Sequence, residues 1–176
     1  MKKVLYILGL LQDRDIEWMT SVGNKVKLKP GDVLVREGEP FNSISIIADG
    51  EVAVSVVGKT VATIGAGEVV GEISLLDSRP PSATVTATTD TLVLSISVHD
   101  LKARLASDVG FAARLYQALG VFLAQRLRRN NLQLTIGTSR EIDDILDEMD
   151  EIDPEVFDQI TLAGNRFKLI LDKLQG

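Results

Sequence analysis

Between Asp13 and Ser21 the apolar residues Ile16, Trp18 and Met19 sit among charged ones, a spacing that predicts a short helix stopped by Gly23-Asn24. From Lys25 to Ser97 the rhythm shortens to alternation. Val52, Val54 and Val56 fall on one strand face, as do Leu92, Leu94 and Ile96. Lys29-Pro30-Gly31-Asp32 puts proline and glycine at the centre of a type II turn, and Asp49-Gly50 and Gly58-Lys59 are two-residue hairpin signals. About eight short strands at such spacing predict a mainly β domain, a jelly-roll or sandwich.

Beyond Ile96 the period lengthens again. Val98 to Ala106 reads as a short helix, and Asp108 to about Leu134 as a long one with Phe111, Leu115, Leu119, Phe122 and Leu127 on one face. Gly120, inside that helix, predicts a close approach or a kink. Gly137-Thr138-Ser139 reads as a boundary. After it, Ile142, Ile145, Leu146, Met149 and Ile152 recur at helical spacing, and Asp153-Pro154 supplies a cap and a first-turn proline. Phe157, Ile160, Gly164, Phe167, Leu171 and Leu174 then form one apolar stripe seeking a partner surface. The organisation expected is therefore a unit over 1–135 (N-terminal helix, β-roll 25–97, helices 98–134) and a helical tail over 136–176.

Charge changes this picture mainly in the tail. The 176 residues hold 25 acidic and 19 basic side chains, and from Gly137 onward only Arg140, Arg166, Lys168 and Lys173 are basic against eleven acids. Such a tail repels a polyanion, so no direct nucleic-acid partner is expected, and Arg126, Arg128 and Arg129 read as cations favoured at a helix C-terminus. There is no cysteine, and the single histidine, His99, has no clustered partner, so neither a thiolate site nor a metal site is expected. No nucleophile–base pair is visible, and an enzyme is not expected. Val4-Leu5-Tyr6-Ile7-Leu8 is cut off by Gln12-Asp13-Arg14-Asp15 and reads as a helix packing on the domain. No uncharged stretch is long enough to cross a bilayer, and a cytoplasmic setting is expected.

The chemistry concentrates in Gly71-Glu72-Ile73-Ser74-Leu75-Leu76 and the run Arg79-Pro80-Pro81-Ser82-Ala83-Thr84-Val85 that follows. Consecutive N–H groups after a glycine can converge on an anion, and a carboxylate there can accept from a hydroxyl. This segment resembles the phosphate-binding cassette of cyclic-nucleotide-binding domains, as found in catabolite-activator-like regulators and protein kinase A regulatory subunits. Val35-Arg36-Glu37-Gly38-Glu39, Asp49-Gly50-Glu51-Val52 and Gly67-Glu68-Val69-Val70-Gly71-Glu72 resemble the family's ordered glycine turns. The likeness runs over roughly residues 10–135.

That resemblance implies a β-roll with flanking helices and a possible ligand such as cyclic AMP or cyclic GMP, with no other cofactor. It makes Gly71 the close-approach glycine and Glu72 the acceptor for a ribose hydroxyl. Ile73, Ser74 and Leu75 become the turn facing the phosphate, and Ser82, Ala83, Thr84 and Val85 the end of the anion cradle. Where the protein kinase A pattern has the phosphate arginine, this chain has Pro81, which carries neither charge nor N–H. Arg79, two residues earlier, is either a substitute cation or a solvated loop residue. Glu72 is either a ribose acceptor or a cap for the turn that follows it. The resemblance implies a non-enzymatic sensory or regulatory module with cyclic-nucleotide binding weakened or lost. The alternatives are a ligand-free dimerisation or protein-docking domain, or a transcription-regulator sensor acting with a DNA-binding partner. A homodimer through 108–134 and a protein partner for the tail are expected.

Overall fold

The structure is a computed structural model that describes residues 5–136 and 154–175. Gly137-Thr138-Ser139, the stripe from Ile142 to Ile152 and the Asp153 cap lie outside the described residues, as do the side chains of Phe157 and Ile160. Two short helices, α1 (Leu5–Leu10) and α2 (Asp13–Val22), precede eight strands: β1 (Asn24–Leu28), β2 (Val33–Val35), β3 (Ser43–Asp49), β4 (Glu51–Val56), β5 (Lys59–Gly65), β6 (Val69–Val70), β7 (Thr84–Ala87) and β8 (Thr91–Ser97). Helix α3 (Glu72–Asp77) interrupts the strands between β6 and β7. After β8 come α4 (Val98–Ser107), α5 (Val109–Ile136) and α6 (Pro154–Gln175).

The strands form two antiparallel four-stranded sheets, ordered β1-β8-β3-β6 and β2-β7-β4-β5. This is the jelly-roll-like arrangement, with flanking helices, that the strand count and turn spacing predict. The first sheet is covered on both faces, which its sequence shows as near-continuous apolar runs in β3 and β8. Ile44, Ile46, Leu94 and Ile96 point to the helices, whereas Ile47 packs with Val35, Val52, Val70 and Val85 between the sheets. In β4 the expected face is graded: Val52 is buried, Val54 half-buried and Val56 exposed. The β4–β5 turn is centred on Val57-Gly58, one residue before the expected pair. Both residues have positive φ (+49° and +75°), as a type I′ turn requires.

On α5, Phe111, Leu115, Leu119 and Phe122 are buried in the chain's own core. Leu127 departs from the expected face and is 61% exposed, because five residues after Phe122 is more than a third of a turn off the stripe. Gly120 is exposed, and no other part of the described chain comes near a Cβ at that position, so no close approach within the chain accounts for it. Trp18 and Phe111 meet edge to face at 5.4 Å, and the Arg104 guanidinium lies 5.5 Å from each ring, joining α2, α4 and α5.

Helix α6 lies across α1 and α2 and reaches β3. Its docked face is Ala163, Ile170 and Leu174, flanked by Phe167 and Leu171; Gly164 is exposed. Arg166 fixes the contact by donating to the carbonyls of Leu8 (2.8 Å) and Gly9 (3.0 Å), two acceptors left open at the end of α1, and to Asp13 (2.7 Å). No described helix is long and apolar enough to cross a membrane.

Candidate functional site

Strand β6 delivers the chain into the cassette through Gly71, whose φ is +89°. A Cβ there would lie 2.3 Å from the Ser43 carbonyl oxygen and 2.8 Å from the Phe41 ring, so both the backbone conformation and the close approach exclude a side chain. Helix α3 follows at once and places Glu72 and Leu75 inward, Ser74 half-buried and Ile73 outward. The helix ends on Ser78, itself left-handed, whose N–H donates to the Ser74 carbonyl. Leu75 joins the helix-side core and Val85 the core between the sheets, so two of the expected cradle residues serve chiefly as anchors.

The loop from Arg79 to Ala83 is held from the other side by the turn at Arg36–Glu39. The Gly38 N–H donates to the Pro81 carbonyl (2.9 Å), and the Glu37 N–H donates to Thr84 Oγ1 (3.1 Å). Glu37 in turn accepts the Val57 N–H at 2.8 Å. The first glycine turn is thus the clamp that positions the end of the cassette, a link between segments that local pattern does not show. Pro81 is half-buried, Ser82 exposed, and Ala83 and Thr84 half-buried. Arg79 is exposed, and its backbone N–H donates to Asp77 Oδ1 (2.9 Å).

Glu72 has a partner that the macrodipole reading of Arg126 missed. Arg126, on α5, donates through Nη1 to Glu72 Oε1 at 2.5 Å and through Nη2 to the Val69 carbonyl at 3.2 Å. Its Nη2 also lies 3.6 Å from Glu68 Oε2, and the Phe122 ring centroid is 4.5 Å from the guanidinium carbon. The Glu72 side chain is only 3% exposed. Burial raises the carboxyls of both Glu68 and Glu72 above their ordinary values, and the Arg126 guanidinium offsets this only in part. The cassette therefore holds two buried carboxylates on one guanidinium, with no cation at position 81. The signal was present in the pattern: Arg126 falls four residues after Phe122 and so continues the buried stripe. Among the described residues no cluster of His, Cys, Asp or Glu has a metal-binding arrangement.

Residues 25–108 match the family profile described as "Cyclic nucleotide-binding domain". Over 95 residues the chain is 34% identical to a cAMP-dependent protein kinase regulatory subunit of Hypocrea atroviridis, a match covering 54% of this chain and 20% of that subunit. The N-terminal domain of a transcriptional regulator from Streptomyces coelicolor superposes with a TM-score of 0.60 at 29% identity, covering 73% of this chain and 94% of that one. A cyclic nucleotide-binding domain from Methylobacillus flagellatus gives a TM-score of 0.69 at 24% identity, over 77% of this chain and 83% of its own. The chain thus carries the fold of a cyclic-nucleotide-binding regulatory or sensor domain.

Proposed function

We propose that this chain is a non-enzymatic regulatory module whose cassette binds cyclic nucleotides weakly or not at all. The observation that carries this reading is Pro81: the one position where the cassette would present a cation to a cyclic phosphate offers a carbonyl already bonded to Gly38. The cassette's Glu72 and the neighbouring Glu68 are two acidic groups that share the single guanidinium of Arg126, which adds no net positive charge for a phosphate. Regulation in such a module is a population shift: whatever acts on the cassette biases the position of α5, and α5 carries the change to a partner. The reading keeps the expected units, 1–135 for the sensor fold and 136–176 for a tail that adds α6, and keeps the cytoplasmic setting. Its test is titration calorimetry of the purified chain against cyclic AMP, cyclic GMP and cyclic dinucleotides. The expected result is no saturable heat at micromolar ligand. Tight cyclic AMP binding that Arg79→Ala abolishes would overturn it and make Arg79 the phosphate cation.

A dimer through α5 is also part of the proposal, on a different face from the one first expected. Phe111, Leu115, Leu119 and Phe122 are already covered by the chain itself. Val109, Ala113, Tyr116, Gly120, Leu123 and Leu127 instead repeat at four, three, four, three and four, and all but Leu123 are exposed. That is a heptad seam, with Gly120 allowing close approach of a second helix. Leu127→Glu with Tyr116→Glu is expected to convert a dimer to a monomer by light scattering. A monomeric parent chain at micromolar concentration would remove the dimer from the reading.

A further inference from the structure

The groups around Arg126 make a receptor for a planar cation. Glu72 Oε1, the Val69 carbonyl and Glu68 Oε2 stand along the guanidinium edge at 2.5, 3.2 and 3.6 Å, and the Phe122 ring stacks near its face. An ammonium is a point charge and would use this spread of acceptors and the aromatic face poorly; a guanidinium fork uses all of them. Both carboxylates lie largely out of water, with 3% and 11% of their side chains exposed. A buried pair of like charges persists only with a cation between them.

We infer that the cassette of this chain is a guanidinium site, that Arg126 is its built-in occupant, and that this occupancy latches α5 onto the β-roll. Glu72 is engaged by the chain's own helix, so a ligand hydroxyl must displace Arg126 to use it. Displacement releases the stretch of α5 beyond Leu123, where among the described residues the apolar contacts with the core give way to Arg126. The same pair thus sets both the resting position of the helix and the threshold for anything that enters the cassette.

The inference rests on the reading of the cassette as free of bound cyclic nucleotide, and the two fail differently. Tight cyclic AMP binding by the parent chain sinks that reading, whereas the latch is tested on the full chain without nucleotide. In Arg126→Ala, amide hydrogen exchange in residues 123–132 and in 72–77 is expected to speed up by about ten- to a hundredfold, the factor that loss of a charge-assisted hydrogen bond carries. Millimolar methylguanidinium chloride should slow it again towards the parent rate, while equal sodium chloride should not. In Arg126→Ala with Glu72→Gln the added cation should have no effect. Exchange unchanged in Arg126→Ala overturns the latch, as does rescue that sodium chloride matches or that survives Glu72→Gln. Should Arg126→Ala fail to fold, Arg126→Lys decides: faster exchange in the same two segments supports a guanidinium site, and parent-like exchange overturns it.

Discussion

Pro81→Arg is expected to raise affinity for cyclic AMP by about tenfold or more, and Pro81→Ala to leave it unchanged. A cyclic phosphate brings one full negative charge into the cassette, and the N–H groups around α3 satisfy only part of it. A charge-assisted bond from an arginine contributes about 1.5–3 kcal/mol, which is roughly one to two decades in Kd. The substitution does not cost the loop its anchor, because position 81 is held through its carbonyl by the Gly38 N–H, a bond any residue can accept. The residues that follow are held in place as well, with Thr84 Oγ1 accepting from the Glu37 N–H and Val85 in the core between the sheets. The gain belongs at the lower end of the range because Arg126 still holds Glu72 against a ribose hydroxyl. Alanine returns an N–H but no charge, which separates the two effects. Titration calorimetry on the three chains checks this, and an arginine variant no better than the parent would show that the missing cation is not what limits binding.

The parts of this molecule that were legible in the sequence are those set by local period and by turn chemistry. Eight strands, the helix over Asp13–Val22 and the long helix after Asp108 follow from alternation, helical spacing and the glycine turns. The cassette's backbone was legible too, because Gly71 is demanded by a positive φ and by the Ser43 carbonyl behind it. Phase errors account for several misses. Leu127 was placed on the buried stripe when Arg126 continues it, and Gly164 on the docked face that Ala163 occupies. The Val57-Gly58 turn was read one residue late because valine disfavours the left-handed conformation it adopts there. The interactions that decide the site were not legible, for a different reason. Arg126 and Glu72 are 54 residues apart, and Asp15 and Arg114 are 99 apart. Each of these charges looks solvated in its own segment, and only the packing of α5 on the β-roll and on α2 brings the partners together.

Asp15→Asn is expected to destabilise the fold by about 3 kcal/mol, more than any other single charge removed at the helical face. Asp15 is fully buried in the first turn of α2, accepting from Arg114 Nε at 2.8 Å and Nη2 at 3.0 Å and from the Gln12 N–H at 2.8 Å. Breaking a buried, bidentate pair costs about 3–5 kcal/mol; the lower end applies because 18% of the Arg114 side chain still meets water. Asparagine retains an acceptor for the Gln12 N–H, so the loss reports the ion pair and not the helix start. The paired control is Asp13→Asn. Asp13 bonds Arg166 but is itself 78% exposed, and exposed pairs contribute about 0–1 kcal/mol. Acid separates the two further. Burial pushes the Asp15 carboxyl up, but the Arg114 fork and the Gln12 N–H outweigh it and hold the group below its ordinary value of 3.8. A carboxylate lowered by folding contributes its stability above the unfolded value and loses it as pH falls through the folded one. The gap between parent and Asp15→Asn should therefore be constant at neutral pH and close only below about pH 4, as measured by urea unfolding at each pH. A gap that is already small at pH 7, or that does not narrow in acid, would mean that Asp15 acts as a helix cap and that Arg114 does not tie α5 to α2.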